Sequence, residues 1–426
     1  MNIKRVLQLK TIYAIAIPYC LLLILKCGRQ WDYDTDSYVA AWETISSLHL
    51  DLWRTPVYPL FIGLTKYLFG SYFLIVGTVI QHLIFLISIR YFYKLAQGVV
   101  KSERSAWWAT AFYALYPCVA TWNCFILTEP FAIYSMIFML YCALTAYQKN
   151  SVFHLVVWGG WLLFQIFLRP AQIYILPVFF VGWLLLYLKK KRLSRIIVGG
   201  VAGTMFASCC MLLYIYTFKN TYGVFTPCGV GIVNKYYMAR RDGTLIASQI
   251  ADQKFRKFVE ERNRVFENGK GTSVDLFKES QDAVYTFGLK QVSDVVSDSS
   301  PNTLGHQVKM AFQRFRTASN DHLFTTFIHK LTVITDIFGV RINFAYYLLL
   351  IYPLVLLRWY IKIRDIPWFS SLLFMVGASH MLIIIVACQN IWGRLVLPVV
   401  PVYIIMFTQL CHNALYIRVN RGQDYC

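Results

Sequence analysis

Three carboxylates, Asp32, Asp34 and Asp36, stand within five residues, beside Tyr33 and Tyr38. An extended chain would set all three on one side, whereas a helix would splay them apart. A solvated acidic turn or a divalent-cation site is the plain reading of such a cluster. The flanks, however, are apolar and aromatic, with Trp31, Trp42, Trp53 and Tyr58. They would hold the segment at a membrane interface, where carboxylates are costly unless they are used. A carboxylate placed there can take the proton of an attacking hydroxyl. Next comes Arg54-Thr55-Pro56-Val57-Tyr58-Pro59, whose two prolines set a bend before a short helix. A guanidinium at that level can grip a phosphate through two parallel hydrogen bonds. Snorkelling to a lipid headgroup is the bland alternative.

A second acid and two more arginines belong to the same level. Glu129, in Leu127-Thr128-Glu129-Pro130, falls just inside the end of an apolar run. A glutamate in such a position is a functional candidate by default, and its structural alternative is an ion pair. Arg169, in Leu168-Arg169-Pro170, is predicted at the same depth and is the natural partner. Arg394, in Gly393-Arg394-Leu395-Val396-Leu397-Pro398, opens the last apolar run. Arg54, Arg169 and Arg394 thus converge with Asp34, Asp36 and Glu129 on one stratum. The combination describes a polar site with an acid/base pole and an anion pole.

The elements that must position these residues are membrane helices. The 426 residues are 58% hydrophobic, 17% aromatic and only 15% charged, with a mean hydropathy of +0.50. Soluble domains carry roughly 25% charged residues. The net charge of +20 sits in short clusters between apolar runs and not in a groove-tracking stripe, which excludes nucleic acid as a partner. Most cysteines lie within apolar runs, and no CxxC pair or Cys/His metal spacing occurs. Runs at 11–27, 71–95, 105–122, 124–147, 152–169, 171–188, 195–217, 340–358, 367–388 and 393–413 are long enough to cross a bilayer. The fold expected is therefore an all-α polytopic membrane protein with about ten transmembrane helices. Basic clusters at 1–10, 94–104, 189–195, 358–365 and the C-terminal tail read as cytoplasmic. Both termini would then be cytoplasmic, and 28–70 and 219–335 would face outside. The chain divides on this basis into an N-terminal module, 1–218, a loop region, 219–335, and C-terminal helices, 336–426. The loop stretches 250–267 and 304–318 have helical periodicity and suit amphipathic helices lying on the outer leaflet.

The pattern Asp34-x-x-x-Tyr38-x-x-Ala41, Arg54-Thr55-Pro56-x-Tyr58-Pro59-Leu60, Thr128-Glu129-Pro130, Leu168-Arg169-Pro170 and Arg394-x-x-x-Pro398 resembles the GT-C integral-membrane glycosyltransferases. It is most similar to the branch of dolichyl-phosphate-mannose–protein mannosyltransferases and lipid A aminoarabinose transferases. The motifs cover 30–175 and the last helix, and the stretch 219–335 matches nothing. Many relatives carry Asp-Glu in the first loop, whereas Thr35 follows Asp34 here. The resemblance implies a sugar donor on a polyprenyl phosphate and transfer outside the membrane to a lipid, glycan or protein acceptor. It assigns Asp34 as base, with Asp36 and Glu129 supporting it. Arg54, Arg169, Arg394, Tyr38 and Tyr58 become substrate contacts, and a divalent cation remains an open option. A single displacement would invert the anomeric centre. A bacterial inner membrane, with the site facing the periplasm, fits the short loops and aromatic-rich spans. A flippase for lipid-linked sugars and an O-antigen ligase or polymerase are the competing readings. The carboxylate-rich first loop and charges kept at helix ends favour the glycosyltransferase.

Overall fold

The computed structural model describes residues 8–28, 30, 34–241, 243–267, 273–299, 342–365, 367–387 and 393–423. Among these residues the chain is helical, with no strand beyond an isolated bridge between Gln30 and Phe125. Helices α1 (Leu9–Cys27), α2 (Thr35–Ser46), α3 (Val57–Phe69), α4 (Phe73–Val100) and α5 (Glu103–Leu115) come first. Then follow α6 (Thr128–Lys149), α7 (Val152–Leu168), α8 (Ile175–Lys190) and α9 (Arg195–Tyr222). Among the described residues, five segments are long and apolar enough to cross a membrane: Leu9–Cys27, Val57–Val100, Thr128–Lys149, Pro170–Lys190 and Arg195–Tyr222. Val152–Leu168 is apolar but shorter.

The basic ends of the bundle close by one local device. Lys101, Asn150 and Lys191 stop α4, α6 and α8 in left-handed conformation, at φ of 58°, 50° and 53°. A serine then starts each following helix: Ser102, Ser151 and Ser194 accept from the backbone N–H groups of Ser105, His154 and Ile197. Such stop-and-cap links are a few residues long, so consecutive helices return antiparallel.

Proline sets the opposite end. The expected single span over 105–122 is broken, because Pro117 holds Tyr116 extended and α5 ends at Leu115. A short turn, Pro117–Thr121, and a 3-10 turn, Trp122–Cys124, then carry the chain to α6. Pro170 likewise holds Arg169 extended and ends α7. Helix α6 is buried on nearly every side, with Ala132, Ile133, Met136, Ile137, Met139 and Ala143 fully enclosed. The helix carrying Glu129 is therefore the axis of the bundle.

Four further helices, α10 (Val230–Arg241), α11 (Gln253–Glu267), α12 (Ser273–Phe287) and α13 (Leu289–Ser299), form a cap. Helix α11 matches the periodic stretch 250–267, while 304–318 lies outside the described residues. The apolar faces of the cap meet each other around Phe218, Tyr236, Phe255, Val259, Ala283 and Val292. The stripe on α11 that suggested a leaflet surface is thus turned into a small core shared with α10, α12 and α13. The cap is tied to the first loop by Gly229 N–H donating to Leu52 O at 2.7 Å and Tyr222 OH donating to Leu50 O at 2.6 Å. Trp53 Nε1 also donates to Tyr285 OH at 2.8 Å. Helices α14 (Ile342–Ile363), α15 (Trp368–Ala387) and α16 (Val400–Gln423) complete the bundle.

Candidate active site

Helix α2 settles the geometry of the acidic segment. Its first residue is Thr35, so Asp34 is the residue before the helix and Asp36 lies in its first turn, exposed. The two carboxylates diverge, as a helix requires. Asp32 lies outside the described residues.

Asp34 Oδ1 accepts from Arg54 Nη2 at 2.8 Å. The same guanidinium donates through Nε to Ser37 Oγ at 2.8 Å and through Nη1 to Tyr38 OH at 3.0 Å. A turn aims it: Asp51 Oδ1 accepts from the backbone N–H groups of Trp53 at 2.9 Å and Arg54 at 2.7 Å. That turn folds the segment before Pro56, so the Arg54 side chain reaches back to α2. Burial alone would weaken the guanidinium's hold on its proton, but Tyr38 and Asp34 outweigh it and keep Arg54 charged. Burial raises the Asp51 carboxyl above its ordinary value, against the two N–H bonds and Arg54.

Tyr38 connects this pair to a second one. Its hydroxyl lies 3.4 Å from Thr128 Oγ1, which donates to Glu129 Oε2 at 3.4 Å. Glu129 Oε1 stands 3.3 Å from Arg169 Nη1. The chain of contacts therefore runs Asp34, Arg54, Tyr38, Thr128, Glu129, Arg169. Burial raises the Tyr38 phenol, with Arg54 the largest opposing influence; Asp34, Glu129 and Arg169 also act on it. The side chains of Arg54 and Asp34 are 15% and 24% exposed, and those of Arg169 and Glu129 are 14% and 5% exposed. The Asp34–Arg54 pair lies at an edge where a ligand could compete for it, whereas Glu129 is buried and only Arg169 of the second pair keeps partial exposure.

The relay joins segments distant in sequence, and backbone contacts lock them together. Thr35 Oγ1 donates to Ile126 O at 3.4 Å, Thr55 Oγ1 to Leu168 O at 3.3 Å, and Gln30 N–H to Cys124 O at 2.7 Å. Tyr58 lies beneath Tyr38, the ring centroids 5.0 Å apart and nearly perpendicular. It is buried, and its hydroxyl donates to Gln81 Oε1 at 3.0 Å. Gln81 Nε2 in turn donates to Asn123 O at 2.9 Å and Phe125 O at 2.8 Å. Gln81 thus braces both the link before α6 and the ring under the relay. Sequence reading passed over Gln81, Ser37 and Asp51. A buried amide within an apolar run was the signal for Gln81.

Of the residues expected to converge, Asp34, Tyr38, Arg54, Glu129 and Arg169 form one connected network. The side chain of Arg394 lies outside the described residues; its backbone opens the turn Gly393–Val396. Among the described residues no group of three His, Cys, Asp or Glu side chains gathers as a metal site.

No protein-family model matches the sequence, and no curated protein matches it. Among solved structures, the chain is similar to the oligosaccharyltransferase of Archaeoglobus fulgidus. The apo form matches at 12% identity and a TM-score of 0.51, over 97% of this chain and 52% of that one. A complex with an inhibitory peptide and a dolichol-phosphate matches at 13% identity and a TM-score of 0.52, over 98% and 51%. A complex with zinc and sulfate matches at 15% identity and a TM-score of 0.51, over 96% and 50%. The chain spans about half the length of these structures. Over nearly all of its own length it has the fold of the archaeal oligosaccharyltransferase.

Proposed function

We propose that this protein is a membrane glycosyltransferase that moves a sugar from a polyprenyl-phosphate donor to an acceptor hydroxyl or amide, with inversion. The observation that carries the reading is the relay of two carboxylate–guanidinium pairs joined through Tyr38 and Thr128. Asp34 is the base. The acceptor attacks the anomeric carbon, its proton passes to the Asp34 carboxylate, and the bond to the phosphate oxygen breaks. The bonding pair leaves with the lipid phosphate. General-base help of this kind is worth about 10²–10⁴-fold. Arg54, Arg169 and Arg394 supply positive charge to the departing phosphate or contact the sugar. Asp36 and Glu129 support, Glu129 by orienting Arg169, and Tyr58 positions Tyr38 from below.

Glycosyl phosphates carry a good leaving group, so a second carboxylate acting as general acid is less necessary than in a glycosidase. The fold likeness agrees with this reading, since one similar structure holds a dolichol-phosphate and another is tethered to an acceptor peptide. A lipid-linked donor and a protein acceptor are therefore the first pair to try. About ten helices would cross the bilayer. The basic links at the far end would lie in the cytoplasm, the site on the outer side, and the membrane would be a bacterial inner membrane. A divalent cation stays an option for the donor phosphate, and the steps above involve only the chain's own groups.

The test is turnover in nanodiscs. A panel of polyprenyl-phosphate monosaccharides is offered with membrane extract as acceptor source, and free polyprenyl phosphate is followed by mass spectrometry. Release by wild type that is lost in Asp34→Asn is the expected result. No release from any donor by folded wild type overturns the reading in favour of a flippase or ligase.

A further inference from the structure

Next to Arg169 lies a group of polar side chains that the relay does not use. Tyr174, on the turn Pro170–Tyr174, and His380, on α15, bring their rings to 5.4 Å. Both lie close enough to Arg169 to interact with its charge. Gln172 sits on the same turn as Tyr174. Tyr174, His380 and Gln172 are 6%, 3% and 0% exposed. Yet Tyr174 OH, His380 Nδ1 and both amide atoms of Gln172 have no hydrogen-bond partner. Arg169 Nη1, though 3.3 Å from Glu129, makes no hydrogen bond either. An unpaired buried polar group costs about 1–3 kcal/mol, and few are tolerated in a native protein. Unpaired atoms gathered on one turn and the helix packed against it belong to something that arrives.

The unpaired atoms also say what arrives. His380 Nε2 lies 2.7 Å from the carbonyl oxygen of Leu395, which can only accept, so Nε2 carries the proton. In a neutral ring Nδ1 then presents a lone pair. Gln172 offers one acceptor and two donor hydrogens, and Tyr174 OH can do either. A phosphate brings only acceptors and would meet the lone pairs of Nδ1 and the Gln172 carbonyl. A neutral polyol both donates and accepts, and it can satisfy the whole set.

From this we infer that Tyr174, Gln172 and His380 form a subsite for the hydroxyl groups of the donor's sugar ring, beside the Glu129–Arg169 pair. The inference rests on the donor proposed above and adds that the sugar, and not the lipid phosphate, occupies this end of the site. The three residues then set which sugar is accepted.

Two lipids and two volume-conserving variants test it. Bare polyprenyl phosphate and the polyprenyl-phosphate monosaccharide panel are titrated against wild type, Tyr174→Phe and Gln172→Met in nanodiscs by native mass spectrometry. Each variant is expected to weaken binding of the best sugar-bearing lipid about three- to tenfold. Affinity for bare polyprenyl phosphate is expected to stay within twofold. The ligand-free variants should melt no lower than wild type, because each loses an unpaired polar group and not a bond. Equal weakening towards both lipids would mean that the cluster serves the phosphate or the fold, and would overturn the inference. So would unchanged binding, or a lower melting temperature without ligand, since that assigns the hydroxyl or amide to a structural water. If wild type binds neither lipid, the donor reading fails first and the subsite with it. If sugar lipid binds and the variants behave like wild type, only the subsite fails.

Discussion

The protein builds the same motif twice, an arginine–carboxylate pair hydrogen-bonded to a tyrosine, and the two copies differ in what surrounds them. In the cap, Glu279 Oε1 accepts from Arg240 Nε at 2.8 Å and from Tyr236 OH at 2.8 Å. Arg240 Nη1 donates onward to Asn263 at 2.6 Å, and the paired side chains are 8% and 1% exposed. This pair is sealed, and it pins α10 to α12 across the cap core. In the relay, Arg54 and Asp34 keep 15% and 24% of their side chains exposed, and the network passes through hydroxyls at 3.4 Å. A sealed pair holds helices together. A pair at an edge, joined by long and replaceable hydrogen bonds, can exchange partners with a ligand. Closure and access, and not the presence of charge, separate the cap pair from the Asp34–Arg54 pair, and only the second fits the role proposed for it.

The sharpest way to break that contrast is to neutralise one carboxylate in each pair. Asp34→Asn keeps shape and removes the proposed base, so turnover of the lipid-linked sugar should fall about 10²–10⁴-fold. Its melting temperature should fall less than that of the cap variant, because the Asp34–Arg54 pair keeps more exposure and Arg54 still donates to Ser37 and Tyr38. Turnover within threefold of wild type in the nanodisc assay would remove Asp34 from the chemistry. Glu279→Leu should do the reverse. It strands Arg240 in the cap, and breaking a buried pair from one side costs about 3–5 kcal/mol. Turnover per folded molecule should hold. If Glu279→Leu melts like wild type, the cap pair is not sealed in the sense argued here.

Arg54→Lys sharpens the comparison within the relay. Lysine keeps the charge but cannot donate in a fork to Asp34, Ser37 and Tyr38 together. Losing charge-assisted bonds of about 1.5–3 kcal/mol predicts a turnover about ten- to hundredfold lower. Wild-type kinetics for Arg54→Lys would mean that only a point charge is needed and the fork is incidental.

Much of this was legible in the sequence because charge is rare in an apolar chain. Glu129 and Arg169 stood out against their runs, and their pairing at 3.3 Å follows from equal depth. The starts and stops of α6 through α9 were readable for the same reason, since Asn150-Ser151 and the Lys189–Arg192 cluster interrupt otherwise apolar stretches. Less readable was the break at Tyr116-Pro117, where the apolar composition continues through the turn. The cap core was hidden for another reason. An amphipathic stripe on α11 is the same sequence signal whether it meets a lipid leaflet or a neighbouring helix, and only α12 and α13 decide between them. Tyr174 and His380 carry no pattern of their own; their meaning lies in which of their atoms are paired.

The smallest effect concerns Asp51, the residue that aims Arg54. Burial lifts its carboxyl above the ordinary value of 3.8 while two backbone N–H groups hold the oxygen. In the window between that value and the raised folded one, the native state binds more protons than the unfolded chain. Stability therefore falls as pH rises through the window, and the cost is fully present above it. Asp51→Asn keeps an oxygen to accept both N–H bonds and removes the charge that burial penalises. The variant should melt on the order of 1 °C higher than wild type at neutral pH. The difference should vanish below the ordinary carboxyl value, where Asp51 is protonated in both states. Turnover should change less than with Arg54→Lys, because the turn survives. A lower melting temperature at neutral pH would show that the Asp51 charge is needed beside Arg54. The aiming turn would then belong to the electrostatics of the relay and not to its backbone alone.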